Sequence, residues 1–262
     1  MRLDFYAYLA QYAAVFALVM VRVGFLMAFL PVFGSRLVPY SVKAATILIL
    51  TLLLTPLVAG RVKVPETLWD FLLLSIPEAL LGLSMAFFVR LVFAGVQFGG
   101  QLLGFQMGFG VANVIDPATG VEAPVLAQMA YLIALLLFLV FDIHHYFFLA
   151  LGESLRILPP GSLKGPKEIF YLLVLHGEDI FRLAIRILAP AMAILLLVQI
   201  AMGIVARFVP QVNVMIVSFP LTIGVGLFFF GLTLQVLGRV LEPAYGQAVR
   251  VLPLIIRAFG GH

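Results

Sequence analysis

Long apolar runs recur along this sequence, and they constrain the fold more than any other feature. "AVFALVMVRVGFLMAFLPVF" opens the series, and "VLAQMAYLIALLLFLVF" is its plainest example. The runs extend for roughly 17–25 residues, enough α-helix to cross the hydrocarbon core of a bilayer. Inside that core the backbone must satisfy its own hydrogen bonds, so only helices and closed barrels are viable. The alternation that a barrel strand needs is missing. Of 262 residues, 64% are hydrophobic and only 11% charged. An ordinary soluble domain carries about 25% charged residues. The chain reads as all-α and polytopic, built of membrane-associated helical hairpins.

Charge excludes some functions. The net charge of +4 comes from basic residues scattered singly between Arg2 and Arg257. Without a basic run there is no nucleic-acid footprint. The absence of cysteine excludes disulfides, thiolate metal sites and cysteine nucleophiles. At the N-terminus Asp4 offsets Arg2, and the apolar run exceeds that of a cleavable signal, so a retained first helix is expected.

The runs and their interruptions give the organisation. Residues 6–33 form the first apolar segment, with Arg22 inside it, and 44–59 the second. "GSRLVPYSVK" and "GRVKVPETLWD" are loops. A third run spans 71–93, interrupted at Pro77–Glu78, and continues to Ala112. That is too long for one straight span, so a kink or a helical hairpin is expected. A plain apolar helix follows, then the mixed "DIHHYFFLALGESLRILPPG" and the loop-like "SLKGPKEIF". Glu178, Arg182 and Arg186 then sit at i, i+4 and i+8, acid before base, on an amphipathic lead-in to another span. The last apolar run begins at Met215, and the tail from Arg239 is weakly amphipathic. Lys and Arg occur in successive loops rather than alternate ones, so the positive-inside rule gives no orientation. Either some spans are misplaced or some apolar helices are covered by protein.

"GGQLLGFQMGFGVANVIDPATG", residues 99–120, carries an unusual number of glycines for a helix. Gly100, Gly104, Gly108 and Ala112 are spaced by four and would form one smooth stripe. Such a stripe admits a closely packed neighbour. Each glycine weakens a helix by ~1 kcal/mol relative to alanine, so packing must offset it. Ordinary helix packing is one reading. The other is a mobile or pore-lining helix, with Gln97, Gln101 and Gln106 seeking partners or water.

Enzyme motifs fail on context. "GFGVAN" lacks the third glycine and the βαβ unit of a dinucleotide site. "GLSMA" lacks the last glycine and the strand of a nucleophile elbow. His144 and His145 are adjacent, so on a helix they diverge by ~100° and do not make a metal pair. They read as an interfacial pair beside Tyr146 and Phe147. Arg22, Glu78 and Arg90 lie inside apolar segments, where ionisable groups find each other or water. Glu78 and Arg90 stand ~18 Å apart on a straight helix, which leaves Arg22–Glu78 as a structural pair between helices. "RFVPQVN" is a polar break in which Pro210 ends a helix.

Two stretches together resemble the FliR family of flagellar export-gate proteins. The first is "GQLLGFQMGFGVANVIDPATGVEAPVLAQMAYLIALLLFLVFDIHHYFFLALGESLRILPPG", and the second "LAPAMAILLLVQIAMGIVARFVPQVNVMIVSFPL". The resemblance implies a non-enzymatic subunit without cofactors, in a helical pore assembly in the bacterial inner membrane at the flagellar basal body. Its implied partners are FliP-like and FliQ-like subunits, a FlhB-like export protein, the basal-body ring, membrane lipid and translocating unfolded flagellar proteins. It implies a FliP-like part over 1–180 and a FliQ-like part over 181–262. The hairpin of the second part would turn at Arg207, Pro210, Gln211 and Asn213. The family's plug falls on residues 105–122. Phe105, Met107 and Phe109 would supply a deformable apolar seal. Asn113, Ile115, Asp116, Pro117 and Gly120 would form the loop, with Asp-Pro ending the helix.

Three other readings compete. A virulence type III export-gate subunit shares the broad plan. A structural scaffold of the gate would look alike in sequence. A solute transporter or proton channel would need more buried carboxylates or an inverted repeat, and Glu78 stands alone.

Overall fold

The computed structural model describes residues 2–109, 125–163, 169–209, 211 and 214–260, apart from Arg36, Ala59, Lys63, Val64 and Glu66. The described residues form eight α-helices: α1 (Arg2–Phe29), α2 (Pro31–Gly34), α3 (Tyr40–Leu54), α4 (Leu68–Gln106), α5 (Val125–Val140), α6 (Ile143–Ile157), α7 (Ile169–Phe208) and α8 (Val214–Gly260). A 3₁₀ turn, Thr55–Leu57, extends α3. Five of the helices contain stretches long and apolar enough to cross a membrane: Gln11–Phe29, Tyr40–Leu57, Leu68–Gln106, Phe181–Phe208 and Val217–Gly260. The chain is an all-α polytopic membrane protein.

Local chemistry sets the helix ends. Thr67 and Asp70 form a reciprocal cap at the start of α4. The Asp70 N–H donates to Thr67 Oγ1 at 3.2 Å, while the Thr67 N–H donates to Asp70 Oδ2 at 3.2 Å. Two orphan donors of the first turn are thereby satisfied. In and after α3, Thr51 and Thr55 turn their hydroxyls onto the carbonyls of Ile47 and Thr51, both at 2.7 Å. That leaves no bare hydroxyl in an apolar setting. Asp142 separates α5 from α6 with φ 53°, a left-handed conformation that short polar side chains tolerate.

The run expected to kink or fold back is one continuous 39-residue helix, α4, with Pro77 inside it. A hairpin does not form there. At 1.5 Å per residue the helix is ~58 Å long, well beyond one bilayer core.

The chain divides into two compact units. The first comprises residues 1–90, 142–176 and 245–262. Its core takes one face of α1 (Leu18, Val19, Val23, Leu26) with Leu30 just after it, the first half of α4 (Leu81, Met85, Val89), the α6 face Phe147–Leu151–Leu155, and Tyr245, Leu252, Ile255 and Phe259 from the end of α8. α1 packs against α3. α3 itself exposes Ile49, Leu52 and Leu53 at 60%, 69% and 65%.

The second unit comprises residues 91–141 and 177–244. Here Phe93 of α4 meets Tyr131 and Phe138 of α5 edge-on, with centroids 5.4 and 5.7 Å apart. Phe98 meets Phe181 of α7 at 5.5 Å. α7 contributes Ala184, Leu188, Ala191 and Leu195 to the core, and α8 contributes Phe230, Leu237 and Leu241. These units are defined by packing. The expected division into 1–180 and 181–262 follows no break in the helix there, since α7 runs through residue 180.

Candidate functional site

The glycine-rich end of α4 lies in the second unit. At Gly100, α4 and α5 approach closely. A Cβ built on it would lie 2.5 Å from Ala127 Cα and 2.9 Å from Ala127 N, both backbone atoms that cannot rotate away. Gly104 is buried as well. The regular helix then ends at Gln106, six residues short of the Ala112 expected from the four-residue spacing. Gly108 therefore does not continue the helical stripe. Its φ of +96° places it in the region that glycine enters without a Cβ penalty. The turn closes by Met107 N–H to Leu103 O at 3.0 Å and Gly108 N–H to Phe105 O at 3.1 Å, a tightening common at helix C-termini.

The last carbonyls of a helix need outside donors. Two arrive from different helices. Gln199 of α7 donates its amide to Gln106 O at 3.3 Å, and Thr222 of α8 donates its hydroxyl to Met107 O at 3.1 Å. The three expected seal residues part company here. Met107 is fully buried, whereas Phe105 and Phe109 are 58% and 39% exposed. The remaining expected plug residues, Asn113, Ile115, Asp116, Pro117 and Gly120, lie outside the described residues, as does Ala112 of the expected helix-packing stripe.

The first unit holds a buried charged cluster. Arg22 of α1 and Glu78 of α4, both 0% exposed, meet with Nε and Nη2 each 2.6 Å from Glu78 Oε2. The other carboxylate oxygen, Oε1, accepts the Gly161 N–H at 3.0 Å. Arg22 also donates from Nη1 to Ser154 Oγ at 3.2 Å and from Nη2 to the Leu158 carbonyl at 3.0 Å. Ser154 is free to accept because its own proton goes to Leu151 O at 2.7 Å. One ion pair thus joins α1, α4, α6 and the segment after α6. Such pairing and hydrogen bonding is what a charge needs when taken out of water. Arg90 takes no part. It is exposed, and its guanidinium sits 5.3 Å over the Phe29 ring.

Of the expected turn between α7 and α8, Arg207 and Gln211 are exposed, while Pro210 and Asn213 lie outside the described residues. His144 faces Phe148 edge-on at 6.3 Å, and His145 is exposed.

Ser154, Gly161, Gln199, Phe219, Thr222 and Gly226 escaped the sequence reading. Hydroxyls, amides and glycines in apolar helices are common, and none of these sits in a motif.

The sequence model of the family described as "Bacterial export proteins, family 1" matches residues 13–248. The flagellar biosynthetic protein FliR of Bacillus subtilis (strain 168) is 31% identical over 250 residues, covering 94% of this chain and 95% of its own length. This chain belongs to the FliR family. FliR of Escherichia coli (strain K12) is 29% identical over 237 residues, 90% of each chain. FliR of Aquifex aeolicus (strain VF5) is 27% identical over 241 residues, 90% of this chain and 91% of the relative. The family match encloses both the Arg22–Glu78 cluster and the end of α4 with its α7 and α8 donors.

Proposed function

We propose that this FliR-family chain is a subunit of the protein export gate of the bacterial flagellum, and that residues 105–122 close its channel. Full-length similarity to proteins named for flagellar biosynthesis carries this reading, because relative and chain cover each other almost end to end. The same similarity favours a flagellar over a virulence system.

In this reading the chain sits in the inner membrane and acts as a structural component of export, not as an enzyme. It assembles with FliP-like and FliQ-like subunits, beside a FlhB-like protein and within the basal-body ring. Residues 1–180 correspond to the FliP-like part and 181–262 to the FliQ-like hairpin. The apolar faces of α3, α7 and α8 support it, since Leu52, Leu197 and Phe228 are 69%, 61% and 63% exposed in the isolated chain. Apolar area on this scale is covered by lipid or protein in the working state. The end of α4 supports a gate, because it is held in place while Phe105 and Phe109 stay exposed at the foot of the closing segment.

Deleting residues 113–120 tests the gating role. A plug gives an assembled gate through which ions leak. A scaffold gives failed assembly and no leak, and an assembled, tight deletion overturns the plug. Assembly itself is checked by native mass in mild detergent. A lone 28.7 kDa species would argue against a gate subunit, and a large complex with two other small apolar proteins supports one.

A further inference from the structure

The end of α4 rests on one face of α8. Phe219, Thr222 and Gly226 stand at i, i+3 and i+7, so they line the same side of that helix. Each takes a different part of the Met107–Gly108 turn. The Met107 side chain fills the space a side chain at residue 226 would need. A Cβ built on Gly226 would lie 2.5 Å from Met107 Cγ, 2.6 Å from Sδ and 2.9 Å from Cε. Thr222 Oγ1 reaches Met107 O at 3.1 Å. The Phe219 ring covers Gly108, whose missing Cβ would come within 2.6 Å of ring atom Cε1.

We propose that this face of α8 is a latch that holds the end of α4 in the closed gate, and that export requires its release. The proposal rests on the reading of residues 105–122 as the closing segment. Three features suit a contact that opens and re-forms. First, the Thr222 hydroxyl has one proton and three carbonyls in reach: Met107 at 3.1 Å, and Ser218 and Phe219 of its own helix at 3.0 and 3.1 Å. When Met107 leaves, the proton turns to α8's own carbonyls and no buried donor is stranded. Second, Met107 is an unbranched thioether entering a notch floored by glycine, a shape that withdraws without a branched side chain in its way. Third, Gly108 at φ +96° marks a point where the backbone can turn with little steric restraint. The two bonds that α7 and α8 make to this turn are between neutral groups, and neutral bonds are individually weak.

The absence of native cysteine makes the contact testable by crosslinking. A sulfur at the Met107 Cγ position would stand 2.5 Å from a Cβ at residue 226, within reach of a disulfide. The double variant Met107→Cys/Gly226→Cys is placed in the complete gate in cells, with secretion of a flagellar subunit and ion leak both measured. Oxidation is expected to stop secretion with membranes still tight, and a reductant to restore it. Gly226→Ala, whose Cβ would meet Met107 Cγ at 2.5 Å, fills the notch and is expected to raise the resting leak about fivefold or more. Undiminished secretion with the crosslink formed overturns the latch. So does a pair that stays reduced under oxidant, or Gly226→Ala membranes as tight as wild type. The deletion of residues 113–120 runs alongside. If the deletion leaks while the crosslink leaves secretion intact, the latch alone fails. If the deletion assembles and stays tight, the closing segment itself has been misread.

Discussion

Glu78→Gln keeps the size of the side chain and removes its charge, and the geometry around it predicts a severe effect. Both carboxylate oxygens accept: Oε2 from Arg22 and Oε1 from the Gly161 N–H. An amide has only one accepting oxygen. Its NH₂ group would face either the Arg22 donors or the Gly161 N–H, so one set of bonds is lost whichever way it turns. The Arg22 charge would stay buried at 0% exposure with its counter-charge gone. Removing one partner of a buried ion pair costs about 3–5 kcal/mol. Folded domains are stable by only about 5–15 kcal/mol, so this is a large share of the total. The purified full chain in mild detergent, titrated with denaturant and followed by its helical circular dichroism, gives the measurement. Glu78→Gln and Arg22→Met are each expected to lower the midpoint sharply. Arg22→Met with Glu78→Leu is expected to recover part of the loss, because both charges leave together. A wild-type midpoint for Glu78→Gln, or a double variant as unstable as the two single effects summed, would refute the reasoning.

Other substitutions separate close packing from open surface. Gly100→Ala forces α4 away from the Ala127 backbone, at 2.5 Å from the built Cβ. It should lose about 1–3 kcal/mol, seen as a lower denaturation midpoint. Gly152→Ala meets nothing within 4 Å and should gain about 1 kcal/mol from helix propensity. A fall in its thermal midpoint would contradict that. Glu178→Ala breaks a 3.1 Å pair with Arg182 whose side chains are 60% and 72% exposed. It should change stability by less than about 1 kcal/mol, and the small effect should shrink further in high salt.

The helical class and the chain order of the spans were legible because burial in lipid leaves a one-dimensional record, an unbroken apolar run. Arg22 and Glu78 were legible for the opposite reason, as isolated charges where charges are expensive. Their remaining partners were not. Gly161 contributes a backbone N–H and Leu158 a backbone carbonyl, and every residue but proline offers the first. The four-residue glycine spacing pointed correctly to close helix approach at Gly100. It misled at Gly108, because glycine is as fit for ending a helix as for smoothing one. The family resemblance grouped Phe105, Met107 and Phe109 as one apolar seal, without saying which way each side chain points. The turn at Met107–Gly108 sends Met107 inward, and only the α8 face, more than 100 residues later in the chain, specifies that direction.

The Arg22 cluster also carries a consequence for synthesis. Arg22 emerges from the ribosome 56 residues before Glu78 and 132 before Ser154. At bacterial elongation rates Glu78 follows roughly 3–11 s later. Throughout that interval α1 carries a cation with none of its final partners yet made. Until α4 arrives, water and the lipid headgroups are what can stabilise that charge, so the pairing that fixes α1 in the fold is made only after the chain has grown well past it.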